Sequence, residues 1–370
     1  MNVFAIEMLP AAEGDALWIE YGDKDDPYRI LIDGGVWATH RHIKEKLEAV
    51  AGKRRFELMV VTHVDNDHID GLAKLLANDQ ELDLDDLWFN AWEQLKAVDA
   101  LGEKQGEILS YRIDQWGLPH NRRFNGEAIG LPQEEDEKLP CFEFAGDLKI
   151  TVVGPPYDDL KRLRREWKKT IDELKLRPGD KRTAEKLIED QKKYQPDRLG
   201  GEPNLKAWAA RKFEDDPSVP NASSISLLVE FGGRSFLFTG DATSAGLVAG
   251  LDRLKKERGL ARIKLDAMKV PHHGSKNNVS TEVMKRISCD KFLFSTNGNK
   301  FDHPDDDAVA RIILGSTRPT LYFNYFSEDN KKWASEQWQR KHKYSAVYPK
   351  EIADRTYDQG LRVEFSIVGD

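Results

Sequence analysis

The chain has 370 residues, of which 39% are hydrophobic and 32% charged, and its formal net charge is −8. This composition favours a folded protein, and the length allows one large domain or two modest ones. The acidic balance argues against a protein that simply coats nucleic acid. No apolar run reaches the roughly 18 residues of a membrane span, and no signal peptide is recognisable. With only two cysteines, we expect a cytoplasmic protein without membrane contact.

Three predicted strands open the chain, at residues 3–8, 16–21 and 29–32. Their apolar positions alternate or run together, as in half-buried and buried strands. The third strand ends in Asp33-Gly-Gly, which is either a simple turn or a carboxylate that supports a neighbouring loop. Residues 39–50 are predicted to be helical.

A cluster of potential metal ligands follows the next predicted strand, residues 58–61. It consists of His63, Asp65, Asp67 and His68. In an extended loop the first three side chains would point the same way, and His68 would point toward a second centre. Imidazoles and carboxylates together suit Zn²⁺, Mn²⁺ or Fe²⁺. The alternative is a solvated, capped loop, which this spacing after a buried strand disfavours.

The segment Thr62-His-Val-Asp-Asn-Asp-His-Ile-Asp-Gly71 resembles the His-x-His-x-Asp-His signature of the metallo-β-lactamase fold. Asp65 replaces the second His, and this variant is similar to the soluble domain of the competence protein ComEC and its stand-alone relatives. The resemblance implies an α/β fold, an αββα sandwich formed by residues 1–370 as a single domain. It also implies that Asp33 supports the metal loop and that Asp67 orients a water molecule and binds metal.

A basic tract lies in the middle of the chain. Residues 161–212 hold 17 lysines and arginines but only 9 aspartates and glutamates. Apolar positions at helical spacing predict two amphipathic helices within residues 158–213, which we interpret as an insertion. It is either a solvated helical hairpin or a basic lid over a polyanionic substrate. In the second case the candidate substrate-binding residues are Arg164, Arg165, Lys168 and Lys169.

The second half of the sandwich begins at Asn221-Ala-Ser-Ser, and the resemblance places Asn221 and Ser223 close behind the metal ligands. Many members of the fold have a third metal-binding His here. In this chain no His lies between His120 and His272. This departure favours an oxygen-rich coordination such as Mn²⁺ and leaves open whether one or two ions are bound. His120 itself is more typical of a loop residue than of a ligand.

Two further strand ends carry candidate ligands. Asp241 follows the predicted strand 236–238, and the resemblance implies that it bridges two metal ions. His272 and His273 follow the strand 267–270. The resemblance selects His273 as the ligand, while His272 is a second candidate ligand or a phosphate contact.

The last candidate, His303, follows a strand at 291–295 and a turn rich in Ser, Gly and Asn. The resemblance implies a substrate-phosphate contact or a proton donor. The alternative is an ordinary loop before the helix predicted at 308–314. Closing strands are predicted at 320–325 and 361–367, and residues 328–350 give no clear pattern.

These residues predict a metal-dependent hydrolase with one or two divalent ions, Zn²⁺ or Mn²⁺, and a metal-activated water. The favoured function is phosphodiester hydrolysis of DNA or RNA. One alternative is a small-molecule ester hydrolase, similar to a phosphocholine esterase or a lactonase. A second is a non-catalytic or partner-activated module of a multi-component assembly.

Overall fold

A computed structural model describes residues 2–50, 54–78, 82–95, 104–173, 204–350 and 360–367. Two sheets face each other and helices cover their outer faces. The predicted αββα sandwich is therefore confirmed. Within the described residues, no helix has both the length and the apolar character needed to cross a bilayer.

The first sheet has six strands in the order β18-β1-β2-β3-β5-β7. The pairs among β18, β1, β2 and β3 are antiparallel, whereas β3, β5 and β7 run parallel. Its strands are β1 (Asn2–Met8), β2 (Leu17–Asp23), β3 (Tyr28–Ile32), β5 (Leu58–Val60), β7 (Leu87–Trp88) and β18 (Leu361–Ser366). A short parallel pair, β4 (Arg55–Phe56) and β6 (Asp83–Leu84), flanks it.

The second sheet has eight strands in the order β17-β16-β15-β13-β11-β10-β9-β8. Strands β8 to β11 pair antiparallel and β11 to β17 parallel. The strands are β8 (Cys141–Phe144), β9 (Leu148–Gly154), β10 (Ser226–Phe231), β11 (Arg234–Phe238), β13 (Ala267–Lys269), β15 (Lys291–Phe294), β16 (Thr320–Phe323) and β17 (Ser345–Val347). A parallel pair, β12 (Ile263–Leu265) and β14 (Ile287–Cys289), lies beside it.

The central core lies between the sheets, where the inward-facing residues of both are buried. Phe4 and Phe236 stack across this layer with ring centroids 3.9 Å apart. The helices are α1 (His40–Glu48), α2 (Asn66–Asn78), α3 (Trp92–Leu95), α4 (Lys104–Trp116), α5 (Tyr157–Glu173), α6 (Leu205–Ala209), α7 (Val219–Ala222), α8 (Ser244–Arg258), α9 (Thr281–Arg286), α10 (Asp306–Gly315) and α11 (Glu336–His342). Helices α1, α2, α4 and α5 cover the first sheet, and α6, α8, α9 and α10 the second.

The parallel strands bring the candidate residues to one edge of the sandwich. β3 ends before Asp33, β5 before His63, β11 before Asp241 and β13 before His272. Because parallel strands end at the same side of a sheet, loops from both sheets meet at this edge. Asn221 also lies here, since β10 runs antiparallel to β11 and begins at this side.

The structure corrects one expectation about the metal loop. It is not extended through Asp67, because α2 begins at Asn66 and places Asp67 and His68 in its first turn. The two side chains therefore converge on the same group of residues, so that Asp67 is grouped with His68 rather than with His63 and Asp65.

The predicted insertion, 158–213, is described only at its ends. Leu160, Leu163 and Trp167 of α5 are buried against the first sheet's helices, and Leu205 and Trp208 of α6 are buried in the second core layer. The second predicted helix lies outside the described residues. The segment that the sequence left undetermined, 328–350, contains α11 and β17.

Candidate metal centre

Four buried side chains converge at the shared sheet edge: Asp67, His68, Asp241 and His273. One ligand atom from each lies within 4.8 Å of every other. The Asp241 Oδ2 atom is central, at 3.2 Å from Nε2 of His68 and 3.4 Å from Nε2 of His273. The Asp67 Oδ2 atom lies 3.5 Å from the same His273 nitrogen. Two imidazoles and two carboxylates thus face a common point.

Asp33 fixes the metal loop from behind. It is fully buried, and its Oδ1 accepts a hydrogen bond from the backbone N–H of Thr62 at 2.7 Å. Its Oδ2 accepts from the Thr62 hydroxyl at 2.7 Å and from Nδ1 of His68 at 2.7 Å. The proton on Nδ1 leaves the lone pair of His68 on Nε2, toward Asp241.

His63 and Asp65 lie beside this cluster. Since the Thr62 hydroxyl donates to Asp33, Nδ1 of His63 donates to Thr62 Oγ1 at 3.1 Å. Its Nε2 is 4.0 Å from Asp241 Oδ2 and 3.6 Å from Asp65 Oδ2. The Asp65 side chain is 36% exposed. His63 is therefore oriented so that its Nε2 could bind a metal ion, whereas the Asp65 side chain is partly exposed to solvent.

His273 is oriented by groups from two loops. Its Nδ1 donates to the carbonyl oxygen of Ser295 at 2.7 Å and lies 3.4 Å from Oδ1 of Asp15. Asp15 in turn forms a buried ion pair with Lys269. Burial alone would raise the pKa of Asp15, but the charges of Lys269 and His273 lower it to about 2.

The neighbouring His272 has a different environment. Its Nδ1 donates to Asn278 Oδ1 at 2.9 Å and lies 3.2 Å from Asp216 Oδ2, while its Nε2 is 3.8 Å from Asp241. Asn221 donates to the same Asp216 oxygen at 2.6 Å and so lies behind His272. His272 is 20% exposed, so it borders the cluster and also faces solvent.

The predicted supporting residue Ser223 lies farther back. Its hydroxyl donates to the Pro220 carbonyl oxygen at 2.6 Å, which closes the turn of α7. The adjacent Ser224 contacts the site instead, since its Oγ accepts from the backbone N–H of Asp241 at 3.2 Å.

The charges of the cluster favour a cation at its centre. Burial would raise the pKa of Asp241, yet the neighbouring His68, His273 and His272 hold it well below its ordinary value. Burial would lower the pKa of His68, but Asp241 and Asp33 raise it well above the usual range. Burial would also lower the pKa of His273, but Asp241 and Asp15 raise it in the same way. The carboxylates therefore stabilise positive charge among these side chains, and either a proton or a divalent ion can provide it.

The atoms that face the centre fit a metal ion. Nε2 of His63, His68 and His273 and Oδ1 of Asp241 are buried, and none has a hydrogen-bond partner. Buried polar atoms of native proteins nearly always have partners, so four buried ligand atoms without partners in one place fit the binding of a metal ion. Mixed nitrogen and oxygen ligands suit Zn²⁺ or Mn²⁺. In a second group of nearby ligand atoms, from Asp15, Asp33 and His68, Asp15 is paired with the Lys269 ammonium, and Asp33 accepts a hydrogen bond from His68.

The centre opens into a cleft of about 590 Å³. Asp65, Asp67, Asp241 and His272 form part of its wall, and the rest combines neutral polar groups with two lysines, two aspartates, a histidine and one phenylalanine: Asn66, Asp216, Ser218, Asn221, Ser275, Lys276, Asn277, Lys300, Phe301, His303 and Asp305. His303 is buried, with only 8% of its surface exposed, and its ring centroid lies 5.4 Å from that of His272. Burial and then the charges of His272 and His273 hold its pKa well below the usual value.

The described residues of the basic tract, 161–167 and 204–212, do not line this cleft. The Arg164 guanidinium lies 5.3 Å from the centroid of Trp92, and Arg165 is exposed on α5. The side chains of Lys168 and Lys169 lie outside the described residues. His120 is also remote from the cleft lining, and its Nε2 contacts the carbonyl oxygen of Phe89 at 2.9 Å.

Several residues of the site were not predicted as such. Asp15 and Lys269 support His273, and Asp216 and Asn278 support His272. Lys269 carries one local signal, because a lysine inside the apolar strand Ala267–Lys269 must find a buried partner. Asp216 and Asn278 lie in polar loops, where nothing in the local pattern marks them.

Comparisons with known proteins add the following. No protein-family model matches the chain. Over 118 residues, 30% of this chain, the sequence is 32% identical to ComE operon protein 3 of Bacillus subtilis strain 168. The match covers 14% of that protein, so this chain corresponds to only a small part of it.

Three solved structures illustrate the structural similarity. Zn²⁺-bound PqqB from Methylobacterium extorquens is 12% identical, with 97% of this chain and 99% of that chain covered and a TM-score of 0.42. A diphosphatase of the PhnP family is 13% identical, with 99% of both chains covered and a TM-score of 0.36. A metallo-β-lactamase of Cronobacter sakazakii with a HARLDQ motif is 12% identical, with 68% and 73% covered and a TM-score of 0.29.

Proposed function

We propose that this chain is a metal-dependent hydrolase of phosphodiesters, acting on DNA or RNA. One observation carries the proposal: the ligand atoms of Asp67, His68, Asp241 and His273 converge on a common point, and Asp67 and Asp241 also line an open cleft. A structural ion buried away from solvent would not require a cleft, whereas a hydrolytic ion must be reached by substrate and water.

The metal would be held by the cluster of Asp67, His68, Asp241 and His273, with His63 and His272 as neighbouring candidate ligands. A bound divalent ion supplies a water molecule of lowered pKa and neutralises charge on the phosphoryl oxygens. Asp67 lies both in the cluster and in the cleft wall, so its carboxylate would orient the attacking water. Asp33 and the Ser295 carbonyl fix the imidazoles so that no reorganisation is needed during the reaction.

The remaining cleft residues favour a phosphate ester. Lys276 and Lys300 provide cations, and Ser275 and Asn277 provide neutral hydrogen-bonding groups. His303 would contact a phosphoryl oxygen through a ring N–H, since it borders the cleft next to His272. These groups suit the anionic oxygens of a phosphodiester better than an uncharged lactone.

A contact with a longer polymer is supported by the position of α5. This helix packs against α7, and α7 carries Asn221 of the cleft wall. A nucleic acid that leaves the cleft on this side would therefore meet Arg165 and the exposed side of α5. The small-molecule alternative is favoured by a different observation, that neither Arg164 nor Arg165 lines the cleft itself.

The test is hydrolysis of single- and double-stranded DNA and RNA with Mn²⁺, Zn²⁺, Mg²⁺ or EDTA, with Asp67→Ala compared with wild type. Metal-dependent cleavage that the variant loses, with an unchanged circular dichroism spectrum, would establish a nuclease and identify its polymer. No cleavage by a protein that binds metal would contradict the nuclease. Small phosphodiesters and lactones, assayed in parallel, would then distinguish a small-molecule hydrolase from a partner-activated module.

A further inference from the structure

An exposed aromatic ring stands at the mouth of the cleft. Phe301 is 44% exposed and belongs to none of the three hydrophobic clusters. Among the described residues, the other large hydrophobic side chains with comparable exposure lie outside the cleft lining: Tyr28, Trp37, Leu260, Leu314 and Phe326. The exposure of Phe301 therefore coincides with the place where substrate would enter.

The loop that presents Phe301 is held at both ends. The backbone N–H of Asn297 donates to the Ala12 carbonyl oxygen at 2.8 Å, and that of Asp305 donates to the Gly274 carbonyl oxygen at 3.0 Å. Within the loop, Asp302 N–H donates to Gly298 O at 3.0 Å. The backbone that carries the Phe301 ring is therefore fixed by hydrogen bonds, which lowers the entropic cost of stacking a ligand on the ring.

The neighbours of the ring connect it to the metal centre. Its centroid lies 6.5 Å from that of His272 and 5.9 Å from that of His303. Nε2 of His272 is in turn 3.8 Å from Asp241 Oδ2. The Lys300 ammonium lies over one face of the Phe301 ring, 4.8 Å from its centroid, so a cation is available next to the opposite face.

We propose that Phe301, with Lys300 beside it, is a stacking platform for a nucleobase, and that the substrate is a single-stranded nucleic acid. This inference rests on the proposed function and specifies its substrate class. If a phosphate binds at the metal centre, the base of the same nucleotide would lie about one side-chain length from it. The Phe301 ring is within reach of that base, because His272 lies between the ring and Asp241. In a duplex the base faces are already stacked and a base must be unpaired first, so a single strand presents a free base face at lower cost. Lys300 would pair with an adjacent phosphate.

The test is equilibrium binding by fluorescence anisotropy, which does not depend on turnover. The ligands are a fluorescein-labelled oligothymidylate, an abasic strand of the same length with tetrahydrofuran in place of every nucleoside, and a duplex of that length. Phe301→Ala should weaken oligothymidylate binding roughly 5- to 150-fold, because base–aromatic stacking contributes that much per base. Binding of the abasic strand should not change, and Phe301→Trp should retain binding. Wild type should bind the single strand more tightly than the duplex.

Three results would overturn the inference: unchanged oligothymidylate binding in Phe301→Ala, equal weakening for both single strands, or duplex binding as tight as single-strand binding. Its failure is distinguishable from failure of the proposed function. Base-dependent binding that Phe301→Ala abolishes, by a wild type that cleaves no nucleic acid, retains the platform and rejects the nuclease. Cleavage by wild type with unchanged binding in Phe301→Ala retains the nuclease and rejects the platform.

Discussion

The Asp33 carboxylate accepts a hydrogen bond of 2.7 Å from Nδ1 of His68, and both side chains are completely buried. The same carboxylate accepts from the backbone and the hydroxyl of Thr62, so every one of its contacts comes from a donor. It therefore fixes the tautomer of His68 and the entry of the metal loop at the same time. This dual role gives the first prediction.

Asp33→Asn should weaken divalent-metal binding about 10- to 100-fold, as expected when a group behind a metal ligand is removed. An asparagine has nearly the same shape, but its NH₂ group is a donor in place of one of the two acceptor oxygens. It would face either the Thr62 N–H, or the His68 Nδ1–H and the Thr62 hydroxyl, all of which are donors. The measurement is competition with a chromophoric chelator, using Zn²⁺ and Mn²⁺. Asp26→Asn, at an exposed position, is the matched control. Equal affinity in Asp33→Asn and the control would contradict the role given to Asp33.

The second prediction separates the two adjacent histidines. A bound metal at 100 times its Kd should stabilise the wild type by about 2.7 kcal/mol, seen as a rise in Tm. His273→Ala should lose this rise, because its Nε2 belongs to the buried four-residue cluster. His272→Ala should retain most of it, since that ring borders the cluster and is held through Nδ1 by Asn278.

The control for this pair is His342→Ala on α11, a histidine that does not line the cleft. It should show the full metal-dependent rise in Tm. A larger loss in His272→Ala than in His273→Ala would reverse the assignment.

Much of the fold follows from local pattern. The strands β1, β3, β9 and β10 are apolar or alternating, and the helix α8 begins at the Thr243 cap and ends at Gly259 with φ of 65°. The αββα arrangement was predictable because the segment Thr62–Gly71 resembles the metallo-β-lactamase signature, and that resemblance implied it. The start of α2 at Asn66 could not be predicted, because polar residues in the first turn of a helix resemble an ordinary loop.

The supporting residues of the centre illustrate what local pattern cannot supply. Lys269 and Asp15 are more than 250 positions apart and meet only because β13 of one sheet lies opposite the β1–β2 loop of the other. Asp216 and Asn278 meet at His272 from two separate loops. Such partners are chosen by the packing of the two sheets, whose relative position no single segment encodes.

The third prediction concerns a close approach behind the metal loop. A Cβ on Gly14 would lie 1.7 Å from the backbone oxygen of Asp67, so Gly14→Ala must displace one of the two loops. We expect a loss of at least about 1–3 kcal/mol in the free energy of unfolding, together with weaker metal binding. Urea denaturation measures the first quantity.

Gly246→Ala is the comparison variant for Gly14→Ala. This glycine lies inside α8, and the nearest atom to its added Cβ is Thr243 Oγ1 at 3.2 Å. Gly246 is the third residue of α8, and alanine is a better helix former than glycine by up to about 1 kcal/mol, which should offset that contact. Equal unfolding free energies for the two variants would show that the close contact between Gly14 and the Asp67 backbone is not needed for stability.

The fourth prediction tests whether α5 belongs to the core. Trp167 is completely buried and its ring centroid lies 6.2 Å from that of Trp92. Trp167→Ala should lower the free energy of unfolding by about 3–5 kcal/mol, as for other buried aromatic residues. Trp37→Ala, at a side chain that is 48% exposed, should change it by less than about 1 kcal/mol. Similar effects of the two would mean that α5 is attached only loosely to the sandwich.

The fifth prediction assigns the basic tract to polymer binding. Neutralising Arg164, Arg165, Lys168 and Lys169 together should weaken binding of a long single strand and flatten its salt dependence. For each phosphate that the variant no longer neutralises, the slope of log K against log salt concentration should become less negative by about 0.7. Hydrolysis of a dinucleotide should not change, because Arg164 and Arg165 do not line the cleft.

Lys276→Gln provides the contrast, since Lys276 lines the cleft and its ammonium is 3.9 Å from Asp305 Oδ1. This variant should weaken the dinucleotide and the long strand to the same extent, because both place a phosphate in the cleft. The ratio of long-strand to dinucleotide affinity therefore separates the two surfaces. An unchanged ratio in the fourfold variant would mean that the basic tract serves no polymer contact, and that the cleft alone determines binding.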